Sequence, residues 1–347
     1  MRRRRESEQH TRQRGSRAGK AANPRRQKSS GARGRPREAA QSRRRQSQVA
    51  VQVGVRGRRS RVRAMVGVIG GSGLYEMEEC VAVQTVSVST PFGSPSDRVV
   101  LGRLGGTTVA FLPRHGRGHR LSPSDLNYRA NIYALKALGV EAIISVSAVG
   151  SLRAEIAPGH IVVPGQFIDR TRGRACTFFG NGLVAHVSLA DPVCPRLSAA
   201  LVDAARSLGV TVHPSGTYLC MEGPQFSTRA ESELYRSWGA HVIGMTNLQE
   251  AKLAREAEIC FATIAMVTDY DCWMAKAGDV DVPEILRVLR ANVGVAQRMI
   301  AVTVRDLAGP RTCACANALK DAIITDREHI PARTRQVLQL LTGKYLM

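Results

Sequence analysis

Acidic residues are scarce at one end of this chain. Residues 1–64 hold 20 Arg and 2 Lys against 3 Glu and no Asp, and they contain no Phe, Tyr or Trp. Such a segment buries too little apolar surface to offset its ordering entropy, so a disordered basic arm is expected there. Its apolar island at 49–55 is interrupted by Gln and Gly and is too short for the core of an export signal. A second reading places the natural start at Met65, which makes the arm upstream sequence. The arm carries +19 of the formal charge of +22, leaving the other residues nearly neutral. The overall charge therefore points to nucleic acid through the arm alone.

Long apolar runs are also missing: none approaches the roughly 18 residues of a membrane span. There is no Gly-Lys-Ser/Thr of a P-loop and no paired Cys or His spacing that marks a metal site. The eight cysteines, at 80, 176, 194, 220, 260, 272, 313 and 315, are scattered, a pattern that fits a reducing cytoplasm. Cys313-Ala314-Cys315 stands out, and a C-x-C pair is a redox pair, half of a metal site or two ordinary thiols.

What is present is alternation. Strand-like runs occur at 66–69, 81–88, 98–101, 108–112, 142–146, 161–163, 212–220, 242–245 and 260–267. Helical patterns occur at 125–138, 195–208, 228–238, 248–257 and 284–304, with two short tail helices at 316–323 and 332–341. This order predicts an α/β fold, a single domain at 65–308 with a central mixed, largely parallel sheet flanked by helices. Residues 309–347 are expected to form a helical tail packed on it.

Ligands collect at the carboxyl ends of strands in such sheets, and the polar clusters of this chain fall there. The first is Gly70-Gly71-Ser72-Gly73. It fails as a dinucleotide fingerprint because Glu76 stands where a small residue is required. Its glycines allow close backbone approach, and its N–H groups with the Ser72 hydroxyl suit an anion, although a plain turn has the same composition. Arg114, His115, Ser147 and Thr246 follow other strands. With Ser72 they supply the guanidinium, imidazole and hydroxyls that a free phosphate dianion requires without a P-loop lysine or a metal. Asp269 and Asp271 end an apolar strand and could bind a metal, act as general acid and base, or cap a turn. Desolvation by that strand and Trp273 would raise a carboxyl pKa, as suits an acid that protonates a leaving group. Phe226 either stacks on a planar base or anchors the core.

Six stretches, taken in order, are more specific than any one of them: Gly70-Gly71-Ser72-Gly73-Leu74, Thr90-Pro91-Phe92-Gly93, Arg114-His115-Gly116-Arg117-Gly118-His119, Asn127-Tyr128-Arg129-Ala130-Asn131, Glu222-Gly223-Pro224-Gln225-Phe226-Ser227 and Thr268-Asp269-Tyr270-Asp271-Cys272-Trp273. Together they resemble the S-methyl-5′-thioadenosine phosphorylases, in the trimeric branch of the purine nucleoside phosphorylase family. The resemblance runs from Met65 to at least Val304, and the C-x-C tail is similar to that of some prokaryotic and archaeal members. It implies a nucleoside phosphorylase-like fold and phosphorolysis of S-methyl-5′-thioadenosine to adenine and 5-methylthioribose 1-phosphate, a pentosyltransferase reaction of purine and methionine salvage. It also implies a homotrimer; with no convincing metal set in the sequence and phosphate as co-substrate, no cofactor and no metal are expected, in the cytoplasm that the cysteines suggest.

By matching position, the resemblance assigns Ser72, Arg114, His115, Ser147, Ala148 and Thr246 to phosphate and Met245 to the ribose hydroxyls. Phe226 would pack on the purine, and Ser227, Asp269 and Asp271 would face its polar edge, Asp269 being catalytic. His186 would reach the neighbouring subunit's site near the 5′ substituent. Ser72 and Ser147 stand where many relatives carry Thr, and Asn247-Leu248 is less typical, which puts the shape near the ribose in question. The 6-oxopurine members place Asn at Asp269 and Glu at Ser227, so this pair implies a 6-aminopurine. Alternatives are a purine nucleoside or 5′-methylthioinosine phosphorylase, a nucleosidase using water, a nicotinamide-dependent dehydrogenase, and a nucleic-acid-binding protein with a basic arm.

Overall fold

The computed structural model describes residues 51–53, 65–71, 74, 80–274, 282–307, 309 and 311–346. All lie in the unit Ser47–Met347. Most of the basic arm, together with Ser72 and Gly73 of the glycine loop, lies outside the described residues.

The strands are β1 (Val51–Val53), β2 (Val66–Gly70), β3 (Val81–Val88), β4 (Val99–Leu104), β5 (Thr107–Pro113), β6 (Ala142–Ser151), β7 (Ile161–Val162), β8 (Gln166–Arg170), β9 (Val212–His213), β10 (Thr217–Met221), β11 (Val242–Gly244) and β12 (Cys260–Asp269). The helices are α1 (Tyr128–Ala137), α2 (Pro195–Ser207), α3 (Arg229–Ser237), α4 (Asn247–Glu256), α5 (Val282–Asp306) and α6 (Ala332–Leu346). The strands join in one sheet, running β1-β3-β4-β5-β2-β6-β11-β10-β8, with β12, β7 and β9 branching from β6. It is mixed: β3-β4, β4-β5, β6-β11 and β7-β12 are antiparallel and the other pairs are parallel.

Side-chain alternation along the strands builds a core on each face. Ile69 and Ile143 join α1, α4 and α6 through Tyr133, Leu253 and Leu338. Val68 and Ile144 join α2 and α5 through Leu201 and Ile300. Local chemistry starts the helices: Pro195 opens α2, and a Thr228–Glu231 capping box opens α3.

The structure departs from the sequence pattern in five places. Val51–Val53, inside the stretch expected to be disordered, pairs with β3, since two valines in three residues favour a strand beside an open edge. The polar cluster at 147–151 continues β6 instead of following it, because β11 and β12 both pair with it. Pro214-Ser215-Gly216 divides the run at 212–220 into β9 and β10. Strand β8 carries Gln, Asp and Arg, which mask the strand pattern in the sequence. In the tail, 316–323 is a short 3₁₀ turn (Ala314–Asn317) followed by turns.

Candidate active site

Strand β6 exchanges partners along one edge. β2 pairs with it up to Ser145, and β11 takes over only at Gly150, so 146–149 have no ladder partner there. A cavity of about 430 Å³ opens at this gap. Gly71 after β2, Arg114 and His115 after β5, Ser147 and Ala148 in β6, Met245 and Thr246 after β11, and Thr268 and Asp269 in β12 all line it.

Arg114 is 4% exposed. Its Nε donates to Glu250 Oε1 at 2.6 Å, and Nη2 donates to Glu250 Oε2 at 3.0 Å and to Ser145 Oγ at 2.7 Å. Nη1 donates to the Val146 carbonyl at 2.8 Å. These bonds engage four of the five N–H groups a guanidinium offers, leaving one Nη1 hydrogen for a ligand. Burial disfavours the charge, the Glu250 carboxylate more than restores it, and Arg114 titrates above its ordinary range. Asn247 closes the network from behind: Nδ2 donates to Ser145 Oγ at 2.9 Å and Oδ1 accepts from Thr263 at 2.7 Å. Asn247 therefore shapes the support of Arg114.

Thr246 is the N-cap of α4, yet its hydroxyl makes no capping bond and is left for the cavity. The first N–H groups of α4 and its dipole favour an anion at that point. Ser147 Oγ lies 3.2 Å from Tyr218 Oη. His115 Nδ1 sits 2.8 Å from the Leu121 carbonyl, which can only accept, so Nδ1 carries the proton and Nε2 is left as an acceptor. Burial and the nearby Arg114 charge push His115 down to about 4, so it is neutral at pH 7. It can accept the single P–OH hydrogen of a phosphate dianion.

The other end of the cavity is acidic. Asp269 ends β12 opposite Gly150. Its Oδ2 accepts from Thr268 Oγ1 at 2.7 Å and its Oδ1 from the Asp271 amide at 2.8 Å. Burial raises its pKa above the usual carboxylate range, and these bonds oppose the rise only in part. Asp271, at φ 51°, is also raised by burial, and its Oδ2 is buried without a hydrogen-bond partner. A ligand donor would satisfy that oxygen. Ser147 and Gly150 are three residues apart on β6, so the backbone at Ser147 and the backbone that pairs with Asp269 stand about 10 Å apart at about 3.3 Å per residue.

The Phosphorylase superfamily model matches residues 65–305. The chain belongs to that superfamily, among the S-methyl-5′-thioadenosine phosphorylases. The S-methyl-5′-thioadenosine phosphorylase of Geobacter sulfurreducens is 61% identical over 283 residues, covering 81% of this chain and 99% of that protein. That of Thermofilum pendens is 52% identical over 259 residues, 75% of this chain and 98% of its own length. Among solved structures, a methylthioadenosine phosphorylase from an antarctic soil metagenomic library superposes with TM-score 0.78 at 49% identity, covering 81% of this chain and 99% of that one. The Schistosoma mansoni methylthioadenosine phosphorylase in complex with adenine gives TM-score 0.72 at 36% identity, over 75% and 99% of the two chains.

This phosphorylase site uses residues that no local motif marks. Glu250 lies 136 positions from Arg114 in the chain. Arg174 holds the loop after β10: Nε donates to Glu222 Oε1 at 3.1 Å, and the guanidinium also reaches the Glu222 and Met245 carbonyls. Ile285, Leu286, Leu289 and Val293 of α5 form an apolar wall, a role that the helical pattern at 284–304 does not signal. Phe226, 46% exposed, faces the cavity. Ser227 stands behind it, with Oγ donating to Met221 Sδ at 3.7 Å, and is not a lining residue. His186 is exposed and outside this chain's cavity, beside the Ala185–Ile323 bridge.

Close packing makes one substitution diagnostic. A Cβ on Gly244 would meet Tyr218 Oη at 1.9 Å. Gly244→Ala is expected to lower thermal stability by the equivalent of about 1–3 kcal/mol and to weaken phosphate use through the displaced Tyr218–Ser147 pair. A melt and phosphate KM matching the parent protein would show that Tyr218 is free to move.

Proposed function

We propose that this protein is a pentosyltransferase that cleaves S-methyl-5′-thioadenosine with inorganic phosphate to adenine and 5-methylthioribose 1-phosphate. The relatives at 52–61% identity carry that name. The observation that carries the reading is the cavity at the β6 gap, lined by anion donors at one end and a desolvated carboxyl at the other. A ribosyl unit fits between them, and the α5 wall offers an apolar surface to a methylthio group.

In this reading Arg114, Ser147, Thr246 and the α4 N-terminus hold a phosphate dianion with Ala148 packed beside it, and His115 Nε2 accepts a hydrogen bond from its P–OH. Ser72, outside the described residues, keeps its assigned place in the phosphate cradle. Phosphate oxygen forms a bond to the anomeric carbon as the bond to purine N9 breaks and its electron pair leaves with the base. The nearby dianion stabilises the positive charge that develops on the sugar. Protonated Asp269 donates its proton to N7, so adenine departs neutral. Met245 meets the ribose hydroxyls, Phe226 covers the purine, Asp271 accepts from its amino edge, and Ser227 positions Phe226. These steps need no cofactor. A homotrimer in which His186 reaches the adjacent site is part of the proposal, as is a cytoplasmic location, supported by eight unpaired thiols. No helix among the described residues is long and apolar enough to cross a membrane.

Adenine release from S-methyl-5′-thioadenosine, measured with and without phosphate and against inosine, tests the reading. Release should require phosphate, and inosine should be the poorer substrate. Phosphate-independent release would make the enzyme a nucleosidase, and faster inosine cleavage would overturn the base assignment. Ser147→Ala is expected to raise KM for phosphate about 10-fold or more, the cost of one hydrogen bond to a charged group, with a smaller change in KM for the nucleoside. Equal changes in both constants would remove Ser147 from the anion site.

A further inference from the structure

Away from the cleft, the fold gathers four cysteines from three separate stretches. Cys194 is the N-cap of α2, Cys260 is the first residue of β12, Cys313 caps the 3₁₀ turn Ala314–Asn317 and Cys315 lies within it. Their four Sγ atoms all fall within 4.8 Å of one another, with Cys260 and Cys313 at 3.3 Å. Cys194, Cys260 and Cys315 are buried and Cys313 is half-buried. Backbone structure fixes the frame: the Cys194 amide donates to the Phe261 carbonyl at 2.8 Å, which locks the start of α2 to the start of β12.

Four converging thiols are a soft donor set. A tetrahedral ion with metal–sulfur bonds of about 2.3 Å sets its sulfurs about 3.8 Å apart, within the spread seen here. Several irons in one cluster would hold their thiolates on different metals and farther apart, so this spacing suits a single ion. The surroundings suit the charge, because four thiolates and a divalent cation sum to −2. Arg196, Arg311 and Glu141 line a cavity of about 50 Å³ together with Cys194 and Cys260, and Arg311 Nε pairs with Glu141 Oε2 at 3.5 Å. Arg196 offers compensating charge there, and the cavity offers an entry path. The Cys194 side chain makes no capping bond at the N-terminus of α2, where the helix dipole favours a thiolate.

We propose that Cys194, Cys260, Cys313 and Cys315 bind one zinc ion as a structural site. Each thiol releases its proton to solvent as the ion enters, and no electron is transferred. The ion joins the turn at 313–317 to the α2–β12 corner and fastens the segment leading to α6. None of the four sulfurs lines the catalytic cavity, so the inference stands apart from the proposed reaction.

The test uses the full chain, purified under a non-chelating reductant. One zinc per chain is expected by elemental analysis. Cobalt(II) added to metal-depleted protein should give the visible bands of a tetrahedral cobalt–thiolate centre, and zinc should bleach them. The double variant C313S/C315S should lose the bands and the zinc-dependent rise in Tm while keeping phosphate-dependent activity. If that variant does not fold, the cobalt titration of the parent chain decides alone. Reduced protein that takes up neither zinc nor cobalt would overturn the proposal, including where the four sulfurs are found paired as disulfides before reduction. Cobalt bands that persist in a folded double variant would overturn it too.

Discussion

Asp269→Asn is expected to lower kcat for adenine release by about 10²–10⁴-fold, the usual share of a general acid, while KM for phosphate changes little. The substitution keeps the shape of the side chain and can keep both local contacts. An amide oxygen still accepts from the Asp271 amide, and the new NH₂ donates to a rotated Thr268 hydroxyl. What it loses is the proton. Because the protonated form is the active one, the parent enzyme's kcat should fall as pH rises through the elevated Asp269 pKa.

The parent protein's stability should fall over the same pH window. A carboxyl whose folded pKa is raised binds its proton more tightly in the folded state, so stability is lost as pH rises from the unfolded to the folded value. Above that window the parent protein holds a buried carboxylate, and Asp269→Asn does not. The variant is therefore expected to be strongly impaired in kcat and, at pH above the folded Asp269 pKa, at least as stable as the parent, measured by thermal melts across pH. A variant that is both active and less stable would reverse the assignment of Asp269 from acid to structural residue.

Glu250→Gln carries the second large effect. Glu250 is 1% exposed and meets Arg114 through two hydrogen bonds. Breaking a buried pair by neutralising one partner leaves the other charge uncompensated and costs about 3–5 kcal/mol. Burial at both ends means that solvent screens little of this interaction. A phosphate dianion would supply the missing negative charge, so added phosphate should stabilise the variant more than the parent. Denaturant unfolding with and without phosphate measures both quantities. Equal midpoints and equal phosphate shifts would show that Arg114 does not depend on Glu250. The same experiment separates support of the anion site from general packing, because a purely structural loss would not be recovered by phosphate.

Arg114 also shows how far a local reading reaches. Its residue type and its position after a strand identify it as an anion ligand. Most of its hydrogen-bonding capacity nevertheless goes to Glu250, Ser145 and Val146, and only one Nη1 hydrogen is left for the ligand. His115 likewise reads as an imidazole that could carry charge, while the Leu121 carbonyl and the neighbouring guanidinium make it a neutral acceptor. Ser227 carries a hydroxyl suited to a purine edge, yet the turn into α3 directs it to Met221. Arg174 and the apolar face of α5 carry no local signal, because their roles depend on which loop or strand end they meet.

The sequence by itself determined the alternation of strands and helices, the strand ends that carry polar side chains, and the chemical types available there. Those features depend on neighbours a few positions away, where side-chain period and turn chemistry act directly. The tertiary structure decided the rest: the gap where β6 exchanges β2 for β11, the pairing of Glu250 with Arg114, and the meeting of Cys194 and Cys260 with the C-x-C turn. Crossovers in a largely parallel sheet bring together residues separated by dozens to more than a hundred positions. Strand order and register, set by burial over the whole chain, decide which of them share a site.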